Sequence, residues 1–286
     1  LQNEAVRNFG DYLAEFIGKR VMLTPKVSAE RFHLIGSVID ERNIATELLD
    51  MKPGSTIAYW GCGMRHELSI DPAYLQRCTF FGVRGPHTRK WLGLPESTPV
   101  GDPGLLLPLI YTPKPSEVTA GKSVCIPHIQ DTHADEALLA LSNADILLKP
   151  AISDGDDGVM AFIDQIASAE FVLSGSLHGA IVAAAYGRNF AFWDTGHLDV
   201  GFKWRDFAAS VGIPTAFVAN IGQGAVVHYH LIAQNLKLPQ LAPMLDACPF
   251  VVRPAVLLRA MARDGLVEAE AVQPAIAALE RDISPL

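Results

Sequence analysis

Apolar positions along the chain fall into short runs separated by longer segments of helical spacing. Eight runs lack two-residue alternation: 32–35, 56–60, 79–83, 123–127, 145–148, 171–173, 189–193 and 215–218. Short unbroken apolar runs suit strands covered on both faces, as in a parallel sheet. Between them, apolar residues recur every three or four positions, which predicts helices over 11–19, 38–49, 86–92, 135–144, 159–167, 177–186 and 202–210. Asp11 is placed as an N-cap of the first, unless it has a role in chemistry. Pro86 opens another at a first-turn position.

Strand and helix in alternation make this an α/β chain with mainly parallel sheets. The stretch 108–121 is rich in proline, contains Gly121 and lacks periodicity, so it reads as a break between two halves. The expected domains are 1–115 and 116–240, followed by a helical tail, 241–286, packing back on the first domain. The chain opens on Leu1 rather than Met, which leaves room for a further strand upstream.

Composition narrows the partners. The chain has 286 residues, 49% hydrophobic and 19% charged, enough apolar material for two cores. A net charge of −8 argues against nucleic acid and anionic membrane surfaces, so any anionic ligand needs a local cluster of cations. Cys62, Cys78, Cys125 and Cys248 form no CxxC pair and sit among apolar neighbours. They read as buried, reduced thiols of a cytoplasmic protein. No signal peptide and no run of 18 apolar residues is visible.

The most informative segment is 170–187. A buried strand, 171–173, leads through Ser174, Gly175 and Ser176 into a helix carrying His178, with Gly187 as its C′ residue. Free N–H groups and the helix dipole at such a start favour phosphate or carboxylate. A plain capped helix with a satisfied histidine fits the segment equally well. The order Gly175-Ser176-Leu177-His178-Gly179 puts the second glycine one place late for a hydrolase nucleophile elbow. Gly61-Cys62-Gly63 lacks the third glycine of a dinucleotide fingerprint, since position 66 is His66. His128, Asp131, His133 and Asp135 have the residue types of a metal site, but their spacing matches no strong zinc pattern.

Several stretches, in order, resemble the polysaccharide pyruvyl transferase family, and specifically its exopolysaccharide pyruvyl ketolase-like subset. They are Asn8-Phe9-Gly10-Asp11, Gly82-Val83-Arg84-Gly85-Pro86 with Thr88, Gly101-Asp102-Pro103 with residues 105–107, Ile126-Pro127-His128, Ser176-Leu177-His178-Gly179, and Gly201-Phe202-Lys203 with Asp206-Phe207. The resemblance implies two Rossmann-like domains similar to the glycosyltransferase-B architecture. It also implies transfer of pyruvate from phosphoenolpyruvate onto two hydroxyls of a glycan sugar, giving a ketal and phosphate, in cell-surface polysaccharide synthesis. Many members have Arg-Leu-His where this chain has Ser176-Leu177-His178, so one cation is missing here.

On that reading the catalytic candidates are His178, as acid or phosphate ligand, and Asp11, as base. Arg84, Ser174, Ser176, Leu177, Lys203 and His128 are expected at the donor, with Arg84 as a bidentate fork and Lys203 replacing the missing cation. Asn8, Arg65 and His66 are expected at the acceptor. No metal and no cofactor beyond phosphoenolpyruvate as co-substrate is expected. The partners would be that donor and an oligosaccharide or lipid-linked glycan, the latter met at the inner face of the membrane. Two alternatives stay open: a nucleotide-sugar glycosyltransferase of similar fold, and a catalytically silent anion- or glycan-binding protein.

Overall fold

The computed structural model describes residues 7–153, 155–197 and 200–282. Its strands are β1 (Arg7–Asn8), β2 (Met22–Pro25), β3 (Arg31–His33), β4 (Ile57–Cys62), β5 (Cys78–Val83), β6 (Ser123–Ile126), β7 (Ile146–Leu147), β8 (Ala151–Ile152), β9 (Phe171–Ser174), β10 (Asn189–Trp193), β11 (Phe217–Val218) and β12 (Phe250–Val252). The helices are α1 (Phe9–Val21), α2 (Glu41–Leu49), α3 (Pro72–Leu75), α4 (Pro86–Trp91), α5 (Leu107–Ile110), α6 (Asp135–Ser142), α7 (Gly155–Ser168), α8 (Leu177–Ala185), α9 (Gly201–Ser210), α10 (Ile221–Val227), α11 (Ala242–Asp246), α12 (Pro254–Arg263) and α13 (Ala269–Asp282).

The eight apolar runs are the eight parallel strands. They form a three-stranded sheet, β3-β4-β5, and a five-stranded sheet, β11-β10-β9-β6-β7. Both are mixed with helices, so the chain is α/β. In the larger sheet the chain leaves β6 toward β7 on one side, then returns to β9 and continues to β10 and β11 on the other. The direction of winding therefore reverses between β6 and β9. Crevices form at such a point, outside the carboxyl ends of the strands.

Two antiparallel pairs, β1 with β8 and β2 with β12, tie the chain's N-terminal segment to later elements. Helix α1 packs on α7 and the 3₁₀ turn Pro103–Leu106, so residues 9–21 belong to the larger core. The stretch after α5 runs along α7: the Lys114 N–H donates to Asp164 and the Ser116 N–H to the Ser168 hydroxyl. In the tail, Trp60 Nε1 donates to the Met244 carbonyl (2.9 Å), and α12 packs on α5. Residues 283–286 of the expected tail lie outside the described residues.

Two apolar cores result. The smaller gathers Ile39, Ile44, Ile57, Tyr59 and Met64 around the three-stranded sheet. The larger covers the five-stranded sheet and includes Phe9, Phe162, Val172, Ile181 and Trp193. Helix α9 enters both: Phe202 belongs to the smaller core, Trp204 and Phe207 to the larger. This fixes one sheet against the other, with Lys203 held between.

Two local expectations are corrected. The N-cap of α1 is Asn8, not Asp11, because the extended residue is Asn8 and Asp11 lies already in the first turn. Cys62, Cys125 and Cys248 are buried free thiols, but Cys78 at the start of β5 is only half-buried.

Gly61 sits at φ 72°, and a methyl group there would lie 2.4 Å from the Pro103 ring. Gly93 has φ 63° with open space around it. Urea unfolding should show Gly93→Ala losing about 1–2 kcal/mol from the left-handed backbone alone. Gly61→Ala should lose a further 1–3 kcal/mol, roughly the cost of overpacking.

Candidate active site

A cleft of about 400 Å³ lies at the carboxyl ends of both parallel sheets. Each wall is a strand end. β3 leads to Gly36 and Ser37, β4 to Arg65, β5 to Arg84, β6 to His128, and β9 to Ser176, Leu177 and His178. The start of α1 adds Asn8, Gly10 and Asp11, and α9 adds Lys203. Nine of the residues expected from the sequence thus share one cavity: Asn8, Asp11, Arg65, Arg84, His128, Ser176, Leu177, His178 and Lys203.

Two expected residues are not brought there. Ser174 is fully buried, and its hydroxyl donates to the Ser176 carbonyl (2.6 Å), so it braces the turn rather than facing the cleft. His66 lines an adjoining cavity of about 570 Å³ with Asp40, Asn43 and Tyr74. Arg65 lines both cavities and joins them.

Arg84 is also not the open fork its position suggested. It has no exposed surface. Nη1 donates to the Ser37 hydroxyl (2.8 Å), Nη2 points to the Met64 carbonyl (3.4 Å), and Nε lies 3.7 Å from Asp206 Oδ2. A methyl group on Gly63 would come within 2.2 Å of this guanidinium, so only glycine lets it pack on the β4 turn. Arg84 is a cation set just behind the cleft wall, where low dielectric lengthens its reach.

Asp206 holds this arrangement from α9. It accepts from the Thr88 N–H (2.9 Å) and the Thr88 hydroxyl (2.6 Å) at the start of α4. Thr88 in turn accepts from the Met64 N–H (3.0 Å). Asp206 and Asp102 both fall in the family-like stretches, Asp206-Phe207 and Gly101-Asp102-Pro103. Both carboxylates are fully buried. Their signal in the sequence is faint: an acid that opens a short turn, or sits inside a helix among apolar residues, has no periodicity to betray it.

His178 lies in the first turn of α8, its side chain 14% exposed. A methyl group on Gly10 would sit 2.4 Å from its Nδ1, so α1 must begin with glycine at this crossing. Burial, then the positive charges of Arg84 and Lys203, lower its pKa to about 3. The ring is therefore neutral at pH 7 in the free site, and the cleft is set to receive negative charge. On the opposite wall, partial burial raises Asp11 and Arg7 partly offsets that shift. The acids of the His128–Asp135 loop are engaged locally: Asp131 with His133 (2.7 Å) and Thr195, Asp135 with Lys149 (2.7 Å).

The family model for polysaccharide pyruvyl transferase matches residues 34–195, more than half of the chain. The chain belongs to the polysaccharide pyruvyl transferase family. It is accordingly a transferase of polysaccharide biosynthesis. The matched region begins after β3 and ends after β10, and so carries the walls built from β4, β5, β6 and β9. It includes Arg65, Arg84, His128 and His178, while Asn8, Asp11 and Lys203 lie outside it. No curated protein and no solved structure matches the chain. No helix among the described residues is long and apolar enough to cross a membrane.

The lowered pKa of His178 has a consequence for stability. Its folded pKa lies below the unfolded value of 6.5, so its contribution is full above pH 6.5 and is lost as pH falls toward 3. His178→Gln cannot take up that proton when unfolded. Urea titrations from pH 7 to pH 5 should therefore show the wild type losing ground to the variant by up to about 1.4 kcal/mol per pH unit below 6.5.

Proposed function

We propose that the cleft transfers pyruvate from phosphoenolpyruvate to two hydroxyls of a glycan sugar, forming a cyclic ketal and releasing phosphate. The observation that carries this reading is electrostatic. In a protein of net charge −8, Arg65, Arg84, Lys203, His128, His178 and the N-terminus of α8 converge on one cavity. Such a cluster suits a small, highly charged anion. Phosphoenolpyruvate carries a phosphate and a carboxylate on one carbon and needs positive groups for both.

Lys203, 9% exposed and 5.9 Å from the Trp204 ring centroid, provides the cation absent at Ser176. Backbone N–H groups at the α8 start bind the phosphate, and Arg84 contributes potential through the wall. The donor's negative charge raises the pKa of His178, so the ring becomes protonated as the donor arrives. His178 then gives its proton to the methylene carbon, which becomes the methyl group. Positive character develops at the central carbon. One sugar hydroxyl attacks it, with Asp11 receiving that proton. The second hydroxyl displaces phosphate and closes the ring, and its proton leaves with the phosphate. The acceptor reaches Asn8 and Arg65 from the adjoining cavity, with His66 on its far side.

We read the two sheets as the two Rossmann-like domains of a glycosyltransferase-B-like architecture. The smaller lies on the acceptor side and the larger on the donor side. The acceptor is an oligosaccharide of cell-surface polysaccharide assembly, free or lipid-linked.

The test is phosphate release from phosphoenolpyruvate across a panel of glycan acceptors. Acceptor-dependent release is expected. Its absence across the panel, together with a rise in Tm on adding a nucleotide sugar, would overturn the reading. Lys203→Met should raise the donor KM about tenfold to a hundredfold, the loss expected for a charge-assisted contact.

A further inference from the structure

Behind the cleft, Asp102 takes no part in the chemistry above, and its surroundings are unusual. It follows Gly101, whose N–H donates to the Val83 carbonyl at the end of β5 (2.9 Å), and has no exposed surface. Oδ1 accepts the Gly104 N–H (2.9 Å), which caps the 3₁₀ turn Pro103–Leu106. That bond accounts for a structural role, and it uses only one oxygen.

The other oxygen, Oδ2, is sealed from solvent and has no hydrogen-bond partner. Nε2 of His178 is likewise sealed and unpartnered. The two atoms lie 4.0 Å apart. Leaving two buried polar atoms unpaired is costly, and a shift of about 1 Å would join them in a hydrogen bond. Since Nε2 is buried, the ring's 14% exposure belongs to its other atoms, with Nδ1 lying over Gly10 at the cleft.

We propose that Asp102 is a positioning residue for His178: on anion binding Oδ2 closes onto Nε2–H, fixing the ring so that Nδ1 is the nitrogen turned to the substrate. This rests on the reading of the cleft as the site of pyruvyl transfer. One proton stays on Nε2, held by Oδ2, and a second, taken up on Nδ1 as the anion binds, is the one delivered to the donor.

The charges around the pair fit this exchange. Arg84 and Lys203 face His178, while Arg84, Asp206 and Cys62 face Asp102. Burial raises Asp102 to about 6, with Arg84 and the Gly104 N–H opposing the shift and Asp206 adding to it. The two groups thus titrate as one unit, which near pH 7 in the free site holds a single proton, on Nε2 and facing the ionised Oδ2. An anion beside Arg84 and Lys203 cancels the part of the opposition to a second proton that comes from their charge, and Nδ1 takes that proton up.

The experiment is ¹⁵N-histidine NMR on the full chain, with inorganic phosphate as the probe anion. The wild type should show neutral His178 as the Nε2–H tautomer, and phosphate should raise its pKa by at least one unit. Asp102→Asn keeps the Gly104 bond and removes the charge. It should yield a mixed tautomer, and in turnover a fall in kcat of about 10²-fold with donor KM within threefold. Asp102→Glu should recover part of that loss. A predominantly Nδ1–H tautomer in the wild type overturns the proposal, whether or not the variants fold. So does an Asp102→Asn protein with wild-type tautomer and kcat. If the wild type shows the expected tautomer yet never turns over phosphoenolpyruvate, it is the pyruvyl reading that fails.

Discussion

The arrangement depends on burying a guanidinium. Arg84 has no exposed surface, yet lies within 3.7 Å of a single carboxylate, Asp206, which is itself fully buried. Ions taken out of water at this cost persist only where geometry compensates them. Here the compensation comes from both parts of the molecule: Ser37 and Met64 beside the smaller sheet, and Asp206 from α9. Separating the sheets would leave Arg84 and Asp206 each without its buried counter-charge. The ion pair therefore sets where the two sheets meet, and with them where the cleft opens.

That constraint explains features otherwise unconnected. Gly63 and Gly85 lack side chains because a methyl group would strike Arg84 at one and Asp206 at the other. α9 carries Phe202 into one core and Trp204 into the other, which aims Lys203 at the cleft and Asp206 at Thr88. Burial, with the positive field of Arg84 and Lys203 added to it, keeps His178 neutral in the free site. One buried charge thereby links the packing of the fold to the state of the group placed to move a proton.

The parallel strands were legible because strands covered on both faces must be apolar throughout, and all eight runs belong to such strands. The antiparallel strands β1, β2, β8 and β12 were not. They are two to four residues long, and the apolar stretches they hold, such as Phe250-Val251-Val252, are too brief to stand out as strands. Most cleft residues were legible because they follow strand ends. What the sequence hid was orientation. Ser174 and Ser176 are two residues apart, yet one faces the interior and the other the cleft. Arg84 was recognisable as a strand-end cation, but its enclosure depends on Ser37, 47 positions earlier. Asp102 was visible only as part of a motif, since its proximity to His178 is made by the packing of the Pro103 turn against α8.

A crystal structure with phosphoenolpyruvate bound tests the central claim most directly. The account predicts the donor in the cleft between α1 and α9, its phosphate at the start of α8 within reach of Lys203, its methylene carbon beside His178, and Arg84 behind the Ser37 wall or uncovered by its movement. Donor bound elsewhere, or a cleft that takes up no donor at saturating concentration while Arg84 stays enclosed, would contradict it.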